Sequence, residues 1–201
     1  MNLRRIAIGV GVVSVLCSGP AWAGAAGEAA FRAGDYAAAA SDFLEEAQMG
    51  VAKAQSHLGA LYVGGLGVPR DDAKAFEWFK KAAEQGYPNA QYSVGYMYLE
   101  GRGVPRDYGK ALEWLQKAAR QGQGDAQSRL ALMYERGTGV SKDYVKAYAW
   151  YNVSAANLDD LGTATHREIL ESRMGAADVA KAQKLSQEYF DKYVAPFRAV
   201  D

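Results

Sequence analysis

The sequence predicts an all-α fold, an α/α solenoid of stacked helical hairpins with capping helices at its ends, and three observations carry that expectation. Residues 51–86, 87–122 and 123–158 align on one another without a gap, at a period of 36 residues, which marks an array of small repeated units. Within each block the apolar residues recur at the 3.6-residue period of a helix and not at the alternation of a half-buried strand. A Gly-x-Gly pair divides every block at the same place, as Gly65 and Gly67, Gly101 and Gly103, Gly137 and Gly139. Composition agrees with a packed array. With 49% apolar and 23% charged residues, and only 22 Gly and 5 Pro in 201 positions, the chain is neither collagenous nor disordered by composition.

Residues 1–23 have the layout of a secretory signal peptide. Met1 to Arg5 is a short basic start, Ile6 to Cys17 is a 12-residue stretch that is mostly apolar, and Ala21-Trp22-Ala23 is an A-x-A processing site before Gly24. A membrane span needs about 20 apolar residues, whereas this run is interrupted by Ser18, Gly19 and Pro20, so export and not anchoring is expected. Bulky Leu16 stands directly before Cys17, where lipoprotein acylation needs a small residue. Cys17 is the one cysteine, so the chain beyond it has no disulfide, no thiol nucleophile and no thiolate metal site. The expected location is the bacterial periplasm or the outside of the cell.

Residues 24–50 read as a degenerate first repeat. Asp35 and Gly50 stand 36 positions ahead of Asp71 and Gly86, and a tight Gly34-Asp35 turn replaces the long glycine loop. Asp42 occupies the column that later holds Trp, and Glu46 an alanine column, which suits an exposed terminal face. In each full repeat the second helix starts after an aspartate (Asp71, Asp107, Asp143), whose carboxylate satisfies free backbone N–H groups. Ala75, Trp78, Phe79, Ala82 and Ala83 then form one apolar face, Glu77 and Lys81 pair on the outer face, and Gly86 ends the helix. Gly59, Gly95 and Ala131 leave room where Trp and Tyr of neighbouring helices enter. The Gly-x-Gly pieces follow no strand and recur as connectors, so they are turns and not phosphate loops. Over 159–201, Ala164 to Arg173 and Ala176 to Tyr193 read as two capping helices, the second presenting Val179, Ala182, Leu185, Tyr189 and Tyr193 along one side.

The recurring string Ala-Gln-x-x-Leu-Gly-x-x-Tyr-x-x-Gly-x-Gly-Val-x-x-Asp-x-x-Lys-Ala-x-x-Trp-x-x-Lys-Ala-Ala-x-Gln-Gly resembles the Sel1-like repeat, a relative of the tetratricopeptide repeat. The departures are Val94 at the Leu position, Ala131 for glycine, Ser141 where the first two blocks have Pro69 and Pro105, and Asn152-Val153-Ser154 in place of the charged helix end. The resemblance implies a right-handed α/α superhelix acting as a scaffold, adaptor or regulator in complexes. Secreted relatives with a cysteine pair in each repeat have been linked to penicillin or cell-wall precursors. This chain lacks those cysteines.

By analogy with tetratricopeptide repeats, the inner wall of such an array carries Ser56, Ala60 and Val63, then Tyr92, Tyr96 and Leu99, then Ser128, Leu132 and Glu135. Tyr92 and Tyr96 stand one helical turn apart and offer large amphipathic contact area at low entropic cost. Packing within the array and contact with a partner are both open for them. Arg129 and Arg136 add a charged rim. No catalytic, cofactor or metal constellation is expected. His57 and His166 lack a companion motif, and Asp71-Asp72 and Asp159-Asp160 sit where helices begin or loops end. The 23 basic and 23 acidic residues cancel, with no basic stripe for nucleic acid. The expected function is therefore a non-catalytic periplasmic or secreted scaffold that binds a protein or peptide in its groove. The alternatives are a protein that binds or hydrolyses cell-wall fragments or β-lactams, and a binder of envelope polysaccharide.

Overall fold

The computed structural model describes residues 25–157 and 161–197; the leader expected over 1–23 and the Asp159-Asp160 pair lie outside the described residues. Among the described residues run ten α-helices and a closing 3-10 turn, with no strand. They pair as hairpins: α1 (Ala25–Ala33) with α2 (Tyr36–Gln48), α3 (Ala52–Gly64) with α4 (Asp72–Glu84), α5 (Pro88–Glu100) with α6 (Tyr108–Ala119), and α7 (Gly124–Arg136) with α8 (Tyr144–Asn157). The cap is α9 (Leu161–Glu171) and α10 (Ala176–Tyr193). Each helix packs chiefly on its neighbours in the chain, while α10 returns to cover α8.

The second helix of each hairpin starts where the sequence places an aspartate. The Oδ1 atoms of Asp71, Asp107 and Asp143 accept the backbone N–H of Lys74, Lys110 and Lys146 at 2.9, 3.0 and 2.9 Å, and Asp35 caps α2 in the same way. That backbone donor is the main reason the Asp71 and Asp107 carboxyls lie below the ordinary carboxylate range. First helices end on the first glycine of the loop, with Gly65, Gly101 and Gly137 in the left-handed region at φ 64°, 70° and 73°. The second glycine has a different task. A Cβ at Gly67 would stand 2.0 Å from the Tyr36 carbonyl oxygen, and one at Gly103 2.1 Å from that of Asp72. Each loop thus lies directly on the start of the preceding hairpin's second helix, a contact only glycine permits.

A ladder of amides joins the hairpins through the interior. Gln55, Gln91 and Gln127 are buried, and their Nε2 atoms donate to the carbonyls of Ala47, Ala83 and Ala119 at 3.0, 3.3 and 3.0 Å. Their Oε1 atoms accept from Gln85, Gln121 and Asn157 at 2.8, 2.7 and 2.8 Å. Every rung leaves a buried amide satisfied at both ends. Asn157 keeps the rung in the third repeat, where the helix end otherwise departs from the pattern.

The apolar core forms three clusters strung along the array. Tyr62 packs on the first and second, and Leu99 on the second and third, so no hairpin has a core to itself.

Four expectations change. What enters the space above Gly59 and Gly95 is Phe79 and Leu115, not Trp or Tyr, because the residue after each Trp is the one that faces the first helix of its own hairpin. Lys81 does not pair with Glu77 among the described residues; its ammonium lies 4.0 Å from the Trp78 ring centroid, as Lys117 lies 4.1 Å from that of Trp114. In the third repeat Val153 stands in that lysine column, and α10 covers Trp150 instead, with Tyr189 and Tyr193 at ring distances of 4.5 and 5.7 Å. Glu46 is only 6% exposed and not part of an exposed end face, because it lines the crevice with Glu28, Phe43 and His57 under α1. Finally, α9 begins at Leu161, ahead of the expected Ala164.

Candidate functional site

Two adjoining clefts open on the first-helix side of the second and third repeats. One, of about 260 Å³, is lined by Leu99 and Glu100 at the end of α5, Arg106 and Tyr108 after it, Leu132, Met133 and Arg136 on α7, and Thr138. The other, of about 170 Å³, is lined by Tyr92, Asp125, Ser128, Tyr151 and His166. Arg129 and Leu132 belong to both, so the clefts form one trough along α7.

The helical turn sets the geometry. Tyr92 and Tyr96 lie one turn apart on α5 with ring centroids 6.1 Å apart, and the Arg129 guanidinium stands 5.1 Å from the Tyr96 ring. Burial pushes the Tyr92 phenol up, against the pull of Arg129 beside it, so the hydroxyl stays protonated and available as a donor. At the far end of the trough Tyr151 donates its hydroxyl to Glu135 Oε2 at 2.7 Å, and burial together with that bond pushes its phenol well above the ordinary range. His166, carried in by α9, stacks on Tyr151 at 5.4 Å with Nδ1 3.8 Å from the same carboxylate oxygen. Glu135 is therefore held by the array.

The expected contact residues divide accordingly. Tyr92, Leu99, Ser128 and Leu132 line the trough, and Tyr96 joins it through Arg129. Val63 packs against the middle core cluster, and Ala60 is exposed one repeat away. Ser56 is 8% exposed and lines neither cleft, because its short side chain stays between the neighbouring helices. Arg129 and Arg136 form walls and not merely a rim. Eight lining residues escaped the sequence reading: Glu100, Arg106, Tyr108, Asp125, Met133, Thr138, Tyr151 and His166. His166 and Tyr108 carried no signal for it, and Tyr151 sits in a column that holds Phe79 and Leu115 elsewhere.

His57 lies elsewhere, stacked on Phe43 at 4.9 Å beside the Glu28–Lys53 ion pair, and burial holds its pKa below the usual imidazole range. Among the described residues no cluster of three or more His, Cys, Asp or Glu is placed to hold a metal ion, and no helix is long and apolar enough to cross a membrane. What the trough offers chemically is hydroxyls, guanidinium groups, the carboxylates of Glu100 and Asp125, the His166 imidazole and aliphatic surface on a helical support.

Three copies of the Sel1 repeat match the chain, over residues 52–87, 88–123 and 124–157. The chain belongs to the Sel1-repeat family. Its fold is similar to that of c5321, a protective antigen of uropathogenic Escherichia coli strains displaying an SLR fold, at a TM-score of 0.74 and 37% identity over 82% of this chain and 36% of that one. A Sel1 repeat protein from Oxalobacter formigenes aligns with a TM-score of 0.63 and 32% identity, over 66% of this chain and 55% of that one. The chain thus spans about a third of the first structure and just over half of the second. No curated protein matches it. Sel1-repeat proteins are generally protein-interaction scaffolds and typically non-catalytic.

Proposed function

We propose that this Sel1-repeat protein is a non-catalytic scaffold, exported to the bacterial periplasm or beyond, that holds a protein or peptide partner in the trough over α5 and α7. The observation that carries this reading is the layering of Tyr92, Tyr96 and Arg129, of which Tyr92 and Arg129 line the clefts and Tyr96 packs beside both. Aromatic and arginine side chains are the ones that dominate binding energy at protein interfaces, because they bury much area for little lost freedom.

The test compares wild type with a Tyr92→Ala, Tyr96→Ala variant in quantitative co-isolation from envelope extract, with circular dichroism to verify that both stay helical. Loss of the partner by at least tenfold is expected, the effect of about 1.4 kcal/mol. An identical partner set at unchanged yield contradicts the proposal. Export is checked separately by N-terminal sequencing of protein from the envelope fraction. A chain starting at Gly24 is expected, and one that keeps Met1 and stays in the cytosolic fraction contradicts export.

A further inference from the structure

The 36-residue period allows the array to be compared with itself. Between the first and second repeats Asp72 neutralises two arginines, its Oδ1 accepting from Arg102 at 2.9 Å and its Oδ2 from Arg70 at 3.2 Å. Those two guanidiniums hold the Asp72 carboxyl below the ordinary range, Arg102 first. One repeat further on, the position of Asp72 is taken by Tyr108, while the position of Arg70 is kept as Arg106. The arginine remains and its carboxylate is gone. In the same interval two more arginines are added, because Arg129 and Arg136 stand where the preceding repeat has Ser93 and Glu100.

All three arginines line the 260 Å³ cleft. Arg106 donates to the Glu100 backbone carbonyl at 3.4 Å and lies 6.0 Å from the Tyr108 ring, and Arg129 faces Tyr96. Among the described residues none of the three forms an ion pair, in contrast to Arg70 and Arg102. The one carboxylate that lines the cleft is that of Glu100. Leu99, Leu132 and Met133 line the same cleft. The repeat does not require this cluster, since its own preceding copy does without it. Three guanidiniums against the single Glu100 carboxylate leave the cleft with an excess of positive charge beside its apolar lining, which favours an anionic occupant.

We propose that this cleft binds an extended acidic segment of the partner protein, in which carboxylate side chains alternate with aliphatic ones. A partner carboxylate takes the part at Arg106 that Asp72 plays at Arg70, and Arg129 and Arg136 engage further carboxylates, for which a planar guanidinium fork is well matched. The aliphatic side chains of the segment rest on Leu99 and Leu132. A polyphosphate or nucleic acid would satisfy the charge but leave that apolar lining uncovered, so it is the disfavoured occupant. The proposal rests on the scaffold reading above and names the chemistry of its partner.

The experiment is fluorescence anisotropy on the intact protein with two labelled peptides, one alternating Asp with Leu and the other alternating Asn with Leu, and with inorganic polyphosphate as competitor. The acidic peptide is expected to bind, to weaken as salt rises, and to lose about tenfold in affinity with Arg129→Gln or Arg136→Gln. Lys80→Gln, which removes one charge from the exposed side of α4, is expected to leave binding unchanged. The inference is overturned if the two peptides bind equally, if neither binds, if the arginine variants match Lys80→Gln, or if polyphosphate binds more tightly than the acidic peptide. Equal peptide binding that disappears in the Tyr92→Ala, Tyr96→Ala variant overturns the charge selectivity alone and leaves the scaffold reading standing. Failure of that reading shows separately, as a partner retained by the tyrosine variant.

Discussion

At the scale of single residues, His57 is where acidity should act first. Its Nε2 is buried without a hydrogen-bond partner among the described residues, and its ring is stacked on Phe43. Burial lowers its pKa most; Glu28 and Glu46 oppose that and Lys53 adds to it. The unfolded imidazole titrates at about 6.5, so the neutral ring contributes stability that is fully present above that pH and is lost as pH falls through the lower folded pKa. Thermal melts at stepped pH are expected to show wild type losing stability on the acid side, with a His57→Phe variant losing less; parallel curves would contradict the assignment. Gly103→Ala is expected to destabilise by about 1–3 kcal/mol in urea titration, because a Cβ there meets the Asp72 carbonyl at 2.1 Å and the backbone is left-handed. An unchanged midpoint would show that the loop does not lie on α4. The sequence revealed that Gly103 recurs, since repetition displays itself. Why it recurs is a contact between two hairpins, which no single block displays.

At the scale of elements, each second helix depends on its aspartate cap. Asp107→Ala is expected to lower the midpoint of a chemical melt, and Asp107→Asn to lower it clearly less, because an amide oxygen still accepts the Lys110 N–H. Equal losses for the two would place the effect in the Lys110 ion pair instead. Within the repeats the starts of the second helices, the glycine stops and the hairpin order were legible, because caps and apolar spacing are local features; the start of α9 was not. The glutamine ladder was not, because Gln55 and Gln85 meet only after two helices have turned back on each other. Glu46 misled for a related reason: a charged residue in an alanine column suggests solvent, while α1 roofs it over.

At the scale of the whole molecule, an array must end without leaving an open apolar seam, and α10 provides that end by covering Trp150. Burial there pushes the Tyr189 phenol up to about 12. Removal of residues 176–201 is expected to lower the melting temperature and promote association, read by calorimetry and light scattering; a monomer of unchanged stability would contradict the capping role. The candidate site was legible only in part. Tyr92, Leu99, Ser128 and Leu132 follow from the analogy with tetratricopeptide repeats, whereas His166 arrives on a cap that shares no column with the repeats. The central claim, that the trough over α5 and α7 is the face that holds a partner, is tested most directly by placing a photo-crosslinking side chain at Ser128 in the trough or at exposed Glu113 on α6 and irradiating cells. A discrete adduct from position 128 and none from position 113 is the predicted result; an adduct from 113 with none from 128 would contradict it.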